Sequence, residues 1–356
     1  MSEVETEILA RVEGAVGHIV LNRPGALNAL TLNMVRLIDQ ALTQFAQDER
    51  VRRVVVTGAG TKAFCAGGDI RWLYEQGKAG EFTRQRQFWQ EEYILNARIK
   101  HFPKPFISLI DGICMGGGVG VSQHGTLRVI SETYLFAMPE VAIGFVPDIG
   151  SSYFLPRLRD HFGIYAGVVG ARVRAGDAIA FGLADYFVAS EKMPELLARL
   201  ISGQAIEAVI ADLASAPPAG ELAGRWAEVR ACFEPAGGRQ ILARLEAVAN
   251  NGSALANELL TELRKKSPFA VAVTAEELRR GAELAKAGQG LEAALQVEYR
   301  LVSRIVEEPD FYEGIRAVIV DRDQSPRWRH ARIEDVPQVE VEAMFAALPG
   351  HELIEG

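Results

Sequence analysis

Two carboxylates, Glu140 and Asp148, lie eight residues apart in an apolar segment punctuated by proline and glycine. Each directly follows a proline, and Met, Val, Ile and Phe surround them within residues 136–158. A carboxyl group in such surroundings is costly to ionise, so we expect its pKa to be raised. A general acid or base near neutral pH needs such a pKa. The pattern therefore predicts a catalytic acid pair, although two loop carboxylates that cap helices would produce it as well.

Two glycine-rich segments upstream can offer backbone N–H groups to a ligand. They are residues 64–70 (FCAGGDI) and residues 112–118 (GICMGGG). Glycine lets the backbone approach a ligand closely, and a helix N-terminus favours negative charge. One N–H group from each segment would form an oxyanion hole. A tight surface turn explains the first segment equally well, and close helix packing explains the second.

Other reactive side chains carry weaker signals. Cys65 has no histidine in a recognisable motif, so it is predicted to be a small buried residue and not a nucleophile. His124 lacks a partner at ligand spacing, which favours a histidine in the core or at a helix end. The charged run 276–280 (EELRR) is predicted to be a solvated helix face. No metal site is predicted.

The elements that position these groups indicate an α/β domain followed by helices. Short apolar strands such as 53–58 and 105–110 alternate with helices, and Thr31 is a good N-cap for an amphipathic helix. Beyond about residue 175 helical periods dominate, and they predict helices at 194–201, 206–214, 241–249, 254–265, 270–287 and 290–306. We therefore predict a catalytic core at 1–200 and a helical C-terminal region at 201–356.

Composition excludes several classes of function. The 356 residues carry 38 basic and 46 acidic side chains, a net charge of −8, without a basic block, which argues against a nucleic-acid partner. No apolar run is long enough to span a membrane. Three scattered cysteines do not suggest a disulfide framework. Together with an N-terminus that resembles neither a secretory signal nor a transit peptide, they predict a cytoplasmic protein.

Four motifs in order resemble those of the enoyl-CoA hydratase/isomerase (crotonase) superfamily. They are residues 22–30 (NRPGALNAL), 64–70, the glycine triplet 116–118 and the run 139–147, and together they cover roughly residues 8–190. The resemblance implies a crotonase-like spiral of βαβ units that binds an acyl-CoA thioester. Coenzyme A is then part of the substrate, and no separate cofactor is expected.

The resemblance also implies which backbone groups hold the substrate. The thioester carbonyl would lie between the N–H groups of Gly68 and Gly117. Backbone groups around Ala26, Ala66 and Ile70 would hold the adenine and pantetheine portions. A thioester reaction that passes through an oxyanion needs such a pair of donors, which is worth about 3 kcal/mol or more.

Within the superfamily the chain resembles the 3-hydroxyisobutyryl-CoA hydrolase branch. Hydratases carry a second acid where this chain has Gly120, and they have a glycine where it has Asp148. Segments 297–300 (VEYR), 310–317 (DFYEGIRA) and 321–328 (DRDQSPRW) match the branch as well. Ordinary hydratases end much earlier, so this long C-terminal match favours the hydrolases.

By the same resemblance, Glu140 and Asp148 are the catalytic pair, and Glu92 and Gly117 contact the substrate. Glu140 would attack the thioester carbonyl or activate water to do so, and Asp148 would orient water or the substrate hydroxyl. Glu92 would bond the 3-hydroxyl group. From composition alone, Glu92 beside Glu91 in a polar helix fits a solvated face instead.

The predicted function is therefore hydrolysis of a short-chain 3-hydroxyacyl-CoA, namely 3-hydroxyisobutyryl-CoA in valine breakdown. An enoyl-CoA hydratase or isomerase is the first alternative, and a non-catalytic acyl-CoA-binding protein is the second. Superfamily members often trimerise through a helical C-terminal region, which suggests a homo-oligomer. The longer tail of this chain can instead fold back on its own core, so the oligomeric state stays open.

Overall fold

The computed structural model describes residues 6–350, 352 and 353. They form two compact units, each built from separate stretches of the chain. The first unit comprises residues 6–69, 94–136 and 173–220, and the second comprises residues 70–93, 137–172 and those from 221 onward. The division of the sequence into 1–200 and 201–356 stays a prediction.

The strands of the described residues lie in the first unit, apart from Ala137. They are β1 (Ile8–Glu13), β2 (Val16–Leu21), β3 (Arg53–Gly58), β4 (Ala63–Cys65), β5 (Phe106–Ile110), β6 (Ile113–Met115), β7 (Leu127–Ile130), β8 (Leu135–Ala137), β9 (Val173–Arg174) and β10 (Tyr186–Phe187). One sheet has the order β1-β2-β3-β5-β7-β10, and the other has the order β4-β6-β8-β9. Strands β2, β3, β5, β7 and β10 run parallel, whereas β1 pairs antiparallel with β2.

The larger sheet is buried, as its sequence indicates. Strand β3 contains Val54, Val55 and Val56 in succession, and all three are fully buried. A continuous apolar run is typical of a parallel strand that is covered on both faces. Val16 and Val55 pack in one core cluster with Leu196 and Leu200 from the helical end of this unit.

The helices occupy most of the remaining chain. They are α1 (Leu32–Gln47), α2 (Ile70–Lys78), α3 (Phe82–Lys100), α4 (Gly117–Gln123), α5 (Ser151–Phe154), α6 (Phe162–Val169), α7 (Ala175–Phe181), α8 (Met193–Ile201), α9 (Ile206–Leu213), α10 (Gly238–Asn250), α11 (Ala254–Leu263), α12 (Pro268–Lys286), α13 (Leu291–Ile305), α14 (Pro309–Ile315) and α15 (Gln338–Ala343). None of those described combines the length and apolar character needed to cross a bilayer. The predicted α/β fold with a helical C-terminal part is confirmed.

Helix α1 shows how the local sequence determines where a helix begins and which face is buried. The Thr31 side chain accepts a hydrogen bond from the backbone N of Met34 at 3.0 Å, which satisfies a free donor of the first turn. Met34, Ile38, Leu42 and Phe45 recur at helical spacing and are buried. The predicted N-cap is therefore confirmed.

Helix α12 is the central helix of the second unit. Every residue of its first eleven positions, 268–278, is buried. A helix that is buried on all sides must be surrounded by other elements. Helices α5, α6, α10 and α13 of the same unit pack against it. A nearby aromatic cluster joins Phe162, Tyr165, Trp226 and Phe233, with ring centroids 5.1–5.7 Å apart.

Candidate active site

Glu140 opens a short 3-10 helix, Glu140–Ile143, which ends at Gly144. Gly144 has a φ of 70°, and a side chain there would collide with the backbone of Asp310 at 2.2 Å. Only glycine fits this close approach. Glu140 is 7% exposed, and its Oε2 atom has no hydrogen-bond partner among the described residues. A buried carboxyl oxygen with free hydrogen-bonding capacity is suited to contact a substrate or water.

Asp148 lies in a tight turn that leads into α5. The backbone N of Ser151 donates to the Asp148 carbonyl oxygen at 3.0 Å and closes the turn. Asp148 is 5% exposed, and its Oδ2 atom accepts a hydrogen bond from Tyr93 Oη at 2.8 Å. Tyr93 comes from α3, which lies 55 residues earlier in the sequence. This hydrogen bond fixes the orientation of the carboxyl group.

Glu92 precedes Tyr93 on α3 and is 2% exposed. Its interpretation as part of a solvated helix face is therefore wrong. Its Oε1 atom lacks a hydrogen-bond partner in the described part of the chain. The second unit thus contains three of the predicted site carboxylates, Glu92, Glu140 and Asp148, all buried.

Burial raises the pKa values of all three carboxyl groups. Burial raises the pKa of Asp148 to about 7, although hydrogen bonds from Tyr93 and the backbone act in the opposite direction. Burial, and then the charge of Asp148, raise the pKa values of Glu140 and Glu92 well above the ordinary value. Interacting acids lose their protons in steps that belong to the group as a whole. Such a group can hold and release protons near neutral pH.

Two further buried glutamates were not predicted. Glu277 on α12 and Glu298 on α13 are both 0% exposed. Burial first, and then the charges of neighbouring acids including Glu298, raise the pKa of Glu277 well above its ordinary value. Burial raises the pKa of Glu298 to about 8, against the effect of the hydrogen bonds it accepts from Ser152 and Gly150.

The prediction of a solvated face at 276–280 is wrong for this reason. Glu276 is also buried, but it accepts hydrogen bonds from Arg279 and Arg280, whereas Glu277 points into the unit. Helical spacing offered a signal, because position 277 is four residues after Val273 and seven after Ala270, on one apolar face. Glu298 likewise lies on the apolar stripe of α13, three residues after Leu295.

The two predicted oxyanion glycines lie in the first unit. Gly68 forms an isolated parallel bridge with Leu30, in which Leu30 N donates to Gly67 O at 2.8 Å and Asp69 N donates to Leu30 O at 2.9 Å. The residues on either side of Gly68 make these bonds, so its own N–H group takes no part in them. Gly117 opens α4, where the first N–H groups of a helix lack internal acceptors.

The two glycine segments are in direct contact. A side chain at Gly118 would lie 2.4 Å from the carbonyl oxygen of Cys65, so α4 packs against the end of β4 only because glycine is present. Gly67 approaches the backbone before α4 less closely, since a Cβ atom there would lie at an ordinary contact distance of 3.7 Å from Met115 O. The interpretation of the glycines as packing residues is therefore supported for Gly118. It is compatible with donor roles for Gly68 and Gly117.

The loop at residues 22–30, which is predicted to bind coenzyme A, is held in its conformation by its own groups. Asn28 is buried, and its Nδ2 atom donates to the carbonyl oxygens of Ala59 and Ala63, each at 2.9 Å. Ala66 N donates to Leu27 O at 3.0 Å, which joins this loop to the first glycine segment. Ala26 lines a cavity of about 690 Å³ in the same unit.

Ile70, the third residue expected to hold the substrate, begins α2 and belongs to the second unit. Cys65 is fully buried with its Sγ atom 3.5 Å from Gly67 O, as expected for a structural thiol. In the residues described, no group of three or more His, Cys, Asp or Glu side chains could hold a metal ion.

Comparison with known proteins shows which family the chain matches. The family model described as enoyl-CoA hydratase/isomerase matches residues 16–345. The chain is 39% identical to the mitochondrial 3-hydroxyisobutyryl-CoA hydrolase of Rattus norvegicus, over 98% of this chain and 90% of the relative. It is 38% identical to the protein of that name from Homo sapiens, over 99% and 92% of the two chains.

Two solved structures are similar over almost their whole length. A carnitinyl-CoA dehydratase from Mycobacterium thermoresistibile has a TM-score of 0.91 and 40% identity, with 98% of each chain covered. An enoyl-CoA hydratase from Rhodobacter sphaeroides has a TM-score of 0.89 and 42% identity, over 98% of this chain and 100% of that one. The fold, including its helical C-terminal part, is therefore shared with both of these solved structures.

Proposed function

The chain belongs to the enoyl-CoA hydratase/isomerase family, and from that premise we propose that it hydrolyses 3-hydroxyisobutyryl-CoA to 3-hydroxyisobutyrate and CoA. The observation that carries the proposal is the buried pair Glu140 and Asp148, with Asp148 bonded to Tyr93. Acids with raised pKa values are suited to activate water for attack on a carbonyl group. Relatives named for this reaction match the chain over its helical C-terminal part as well.

Glu140 and Asp148 divide the chemistry in this proposal. In one route Glu140 takes a proton from water while the water oxygen bonds to the thioester carbon. In the other route the Glu140 carboxylate itself bonds to that carbon, and water later cleaves the resulting anhydride. In both routes Asp148 orients the water or the substrate hydroxyl, and the carbon–sulfur bond breaks so that CoA leaves as a thiolate that accepts a proton.

The N–H groups of Gly68 and Gly117 stabilise the oxyanion that forms when the carbonyl carbon is attacked. The hydrogen-bonding capacity of Gly117 at the start of α4 supports this role. Glu92 bonds the 3-hydroxyl group of the substrate, and its unpartnered Oε1 atom supports that assignment. Backbone groups near Ala26, Ala66 and Ile70 hold the CoA portion.

A hydratase is the second candidate, because two similar solved structures are described as a dehydratase and a hydratase. Adding water to a double bond needs two carboxylates that hold and split one water molecule. The resemblance places one of these acids at the position of Gly120, which lies buried in α4 and has no carboxylate. Asp148 supplies the second acid from a different element. The chemistry of the chain therefore favours hydrolysis.

The first experiment measures thiol release from 3-hydroxyisobutyryl-, 3-hydroxypropionyl- and 3-hydroxybutyryl-CoA. A parallel assay follows the absorbance of crotonyl-CoA, which falls on hydration. We expect rapid thiol release and little hydration. Glu140→Gln should lower kcat about 100-fold or more, because a general base or nucleophile contributes at least that much. Asp148→Asn should lower kcat with little change in KM.

Glu91→Gln is the matched control, since Glu91 is the neighbour of Glu92 and bonds to Gln87 at the helix surface. This variant should keep the wild-type rate. Near wild-type hydrolysis by Glu140→Gln would exclude the assigned role of that residue. Crotonyl-CoA hydration faster than thiol release would favour the hydratase, and acyl-CoA binding without any turnover would favour a binding protein.

We place the reaction in valine breakdown on the resemblance to the 3-hydroxyisobutyryl-CoA hydrolases, and the curated relatives bear the name of that enzyme. These relatives are mitochondrial by name, whereas the sequence predicts a cytoplasmic location, which stays a prediction. All three cysteines are buried free thiols, which fits a reducing compartment of either kind. Fractionation of the source cells distinguishes the two locations, and light scattering of the purified chain distinguishes a monomer from a homo-oligomer.

A further inference from the structure

The turn that carries Asp148 has an unfavourable backbone conformation. Ile149, directly after Asp148, has a φ of 57°, and Gly150 has a φ of 84°. Glycine adopts such angles readily, but a β-branched residue such as isoleucine rarely does. Conformations of this kind are unfavourable and persist only where surrounding groups hold them. An interaction from outside the turn must therefore stabilise it.

Glu298 supplies that interaction. Its Oε2 atom accepts a hydrogen bond from Gly150 N at 2.6 Å, and its Oε1 atom accepts one from Ser152 N at 2.8 Å and another from Ser152 Oγ at 2.5 Å. Gly150 is the N-cap of α5 and has no side chain with which to cap it. The Glu298 carboxyl group, 148 residues later, performs this function.

The side chain of Glu298 is confined by its surroundings. It lies in the middle of α13 and is fully buried, so the surrounding side chains limit its conformations. Its two carboxyl oxygens hold residues on both sides of Ser151, whose backbone N bonds to the Asp148 carbonyl oxygen. A shift of Glu298 would therefore move the turn and, with it, the Asp148 carboxyl group.

We propose that Glu298 is a positioning residue for hydrolysis, which holds the Asp148 turn so that the Asp148 carboxyl group meets water and substrate correctly. Tyr93 holds the side chain of Asp148, and Glu298 holds its backbone. The helical C-terminal part thus contributes to the reaction without touching the substrate. This inference rests on the proposed hydrolase function.

Other ionisable groups surround this arrangement in the second unit. Glu92, Tyr93, Glu140 and Glu277 interact electrostatically with Asp148, and Glu277 also with Glu298. A change of charge at Glu298 would therefore affect several groups at once. For this reason the test compares rate constants and not pH optima alone.

The test is a double-mutant cycle with Glu298→Gln and Asp148→Asn on the full chain. The amide introduced by Glu298→Gln would keep one acceptor oxygen but place an NH₂ group against a backbone N–H. The turn would therefore lose at least one of the hydrogen bonds that stabilise it. We expect kcat for 3-hydroxyisobutyryl-CoA to fall about 10–100-fold, as small misplacements of reacting groups do, with KM changed less than about threefold. In the Asp148→Asn background the same substitution should change kcat less than about twofold, because Glu298 acts through Asp148.

Glu276→Gln is the matched control, since it removes a buried carboxylate from its arginine partners on α12 and leaves the Asp148 turn intact. It should lower the melting temperature and leave kcat unchanged. If Glu298→Gln does not fold, Ser152→Ala removes only the Oγ bond and should lower kcat several-fold, again without effect in Asp148→Asn.

Two results would overturn the proposal. One is a kcat of Glu298→Gln within twofold of the wild type, and the other is a full multiplication of the Glu298→Gln and Asp148→Asn effects. Each differs from a failure of the proposed function, in which the wild-type chain itself would release no thiol.

Discussion

Glu277 is fully buried, and neither of its carboxyl oxygens has a hydrogen-bond partner among the described residues. Leaving a buried polar group unpaired costs about 1–3 kcal/mol, and a charged one costs more. When they are ionised, the nearby acids Glu298, Asp148 and Glu140 repel a Glu277 carboxylate and so raise its pKa further than burial alone does. A carboxyl group in this position therefore reduces the stability of the second unit.

Glu277→Met, which replaces the acid by an apolar side chain of similar length, should stabilise the protein by about 1–3 kcal/mol at pH 8. The folded-state pKa of Glu277 is raised above its ordinary value of 4.5. The protein is thus most stable when Glu277 is protonated. The free energy of unfolding falls as pH rises above 4.5 and through the folded-state pKa of this group. The gain from Glu277→Met should therefore be smaller at pH 5. Urea unfolding at both pH values measures it.

Glu276→Met is the control for this experiment, because Glu276 is buried beside Glu277 but bonds to Arg279 and Arg280. Burial alone would raise its pKa, yet these arginines lower it below the ordinary value. The carboxylate is therefore ionised at pH 5 and at pH 8, and its loss should destabilise the protein equally at both. A destabilised Glu277→Met at pH 8 would show that Glu277 has an unrecognised partner.

At the scale of single residues, the sequence predicted acids whose surroundings are local. Proline and apolar neighbours along 136–158 were enough to predict that Glu140 and Asp148 are buried. Tyr93 and Glu298 could not be identified as partners of the Asp148 turn, because 55 and 148 residues separate them from it. Such pairings depend on tertiary packing, and a single sequence does not contain them in a local pattern.

At the scale of elements, α12 depends on Gly281 to approach the Asp148 turn. A Cβ atom at Gly281 would lie 2.1 Å from the carbonyl oxygen of Ser152. The contact is with backbone, so it cannot be relieved by rotating a side chain. Gly281 lies four residues after Glu277, and the same face of α12 therefore contacts the segment that follows Asp148.

Gly281→Ala should destabilise the protein by about 1–3 kcal/mol, because overpacking outweighs the roughly 1 kcal/mol gain in helix propensity. The displaced Ser152 backbone should also lower kcat for thioester hydrolysis, since Glu298 holds the turn through Ser152. Urea unfolding and thiol release measure the two effects. Gly224→Ala is the control, because no atom lies within 4 Å of a Cβ there. Equal stability of the two variants would contradict the close approach of α12.

The boundaries of several long helices could be predicted because their apolar periods and caps are local. The period predicted a helix at 254–265, and the structure has α11 at Ala254–Leu263. A helix predicted at 290–306 corresponds to α13 at Leu291–Ile305. Helix α5 could not be predicted in this way, because its N-cap is a glycine and its capping group comes from Glu298.

At the scale of the whole molecule, the second unit is assembled from distant parts of the sequence. Residues 70–93 supply Tyr93, residues 137–172 supply Glu140 and Asp148, and the chain after 221 supplies Glu277 and Glu298. The change from strand to helical periodicity suggested a boundary near residue 200. Periodicity describes only neighbours along the sequence, so it does not show which distant stretches pack together. Contacts within the second unit arise only when these stretches fold together.

A chain truncated after residue 200 tests the predicted division into 1–200 and 201–356. Residues 70–93 and 137–172 would lose α12 and α13, which bury α5 and cap it. The apolar surface left exposed favours aggregation, so we expect no cooperative thermal unfolding by circular dichroism and no thiol release. Co-expression of 201–356 as a separate chain is the control and should restore both. If residues 1–200 alone unfolded cooperatively and hydrolysed the substrate at the full-length rate, the C-terminal helices would be dispensable, and Glu298 could not be the residue that holds Asp148.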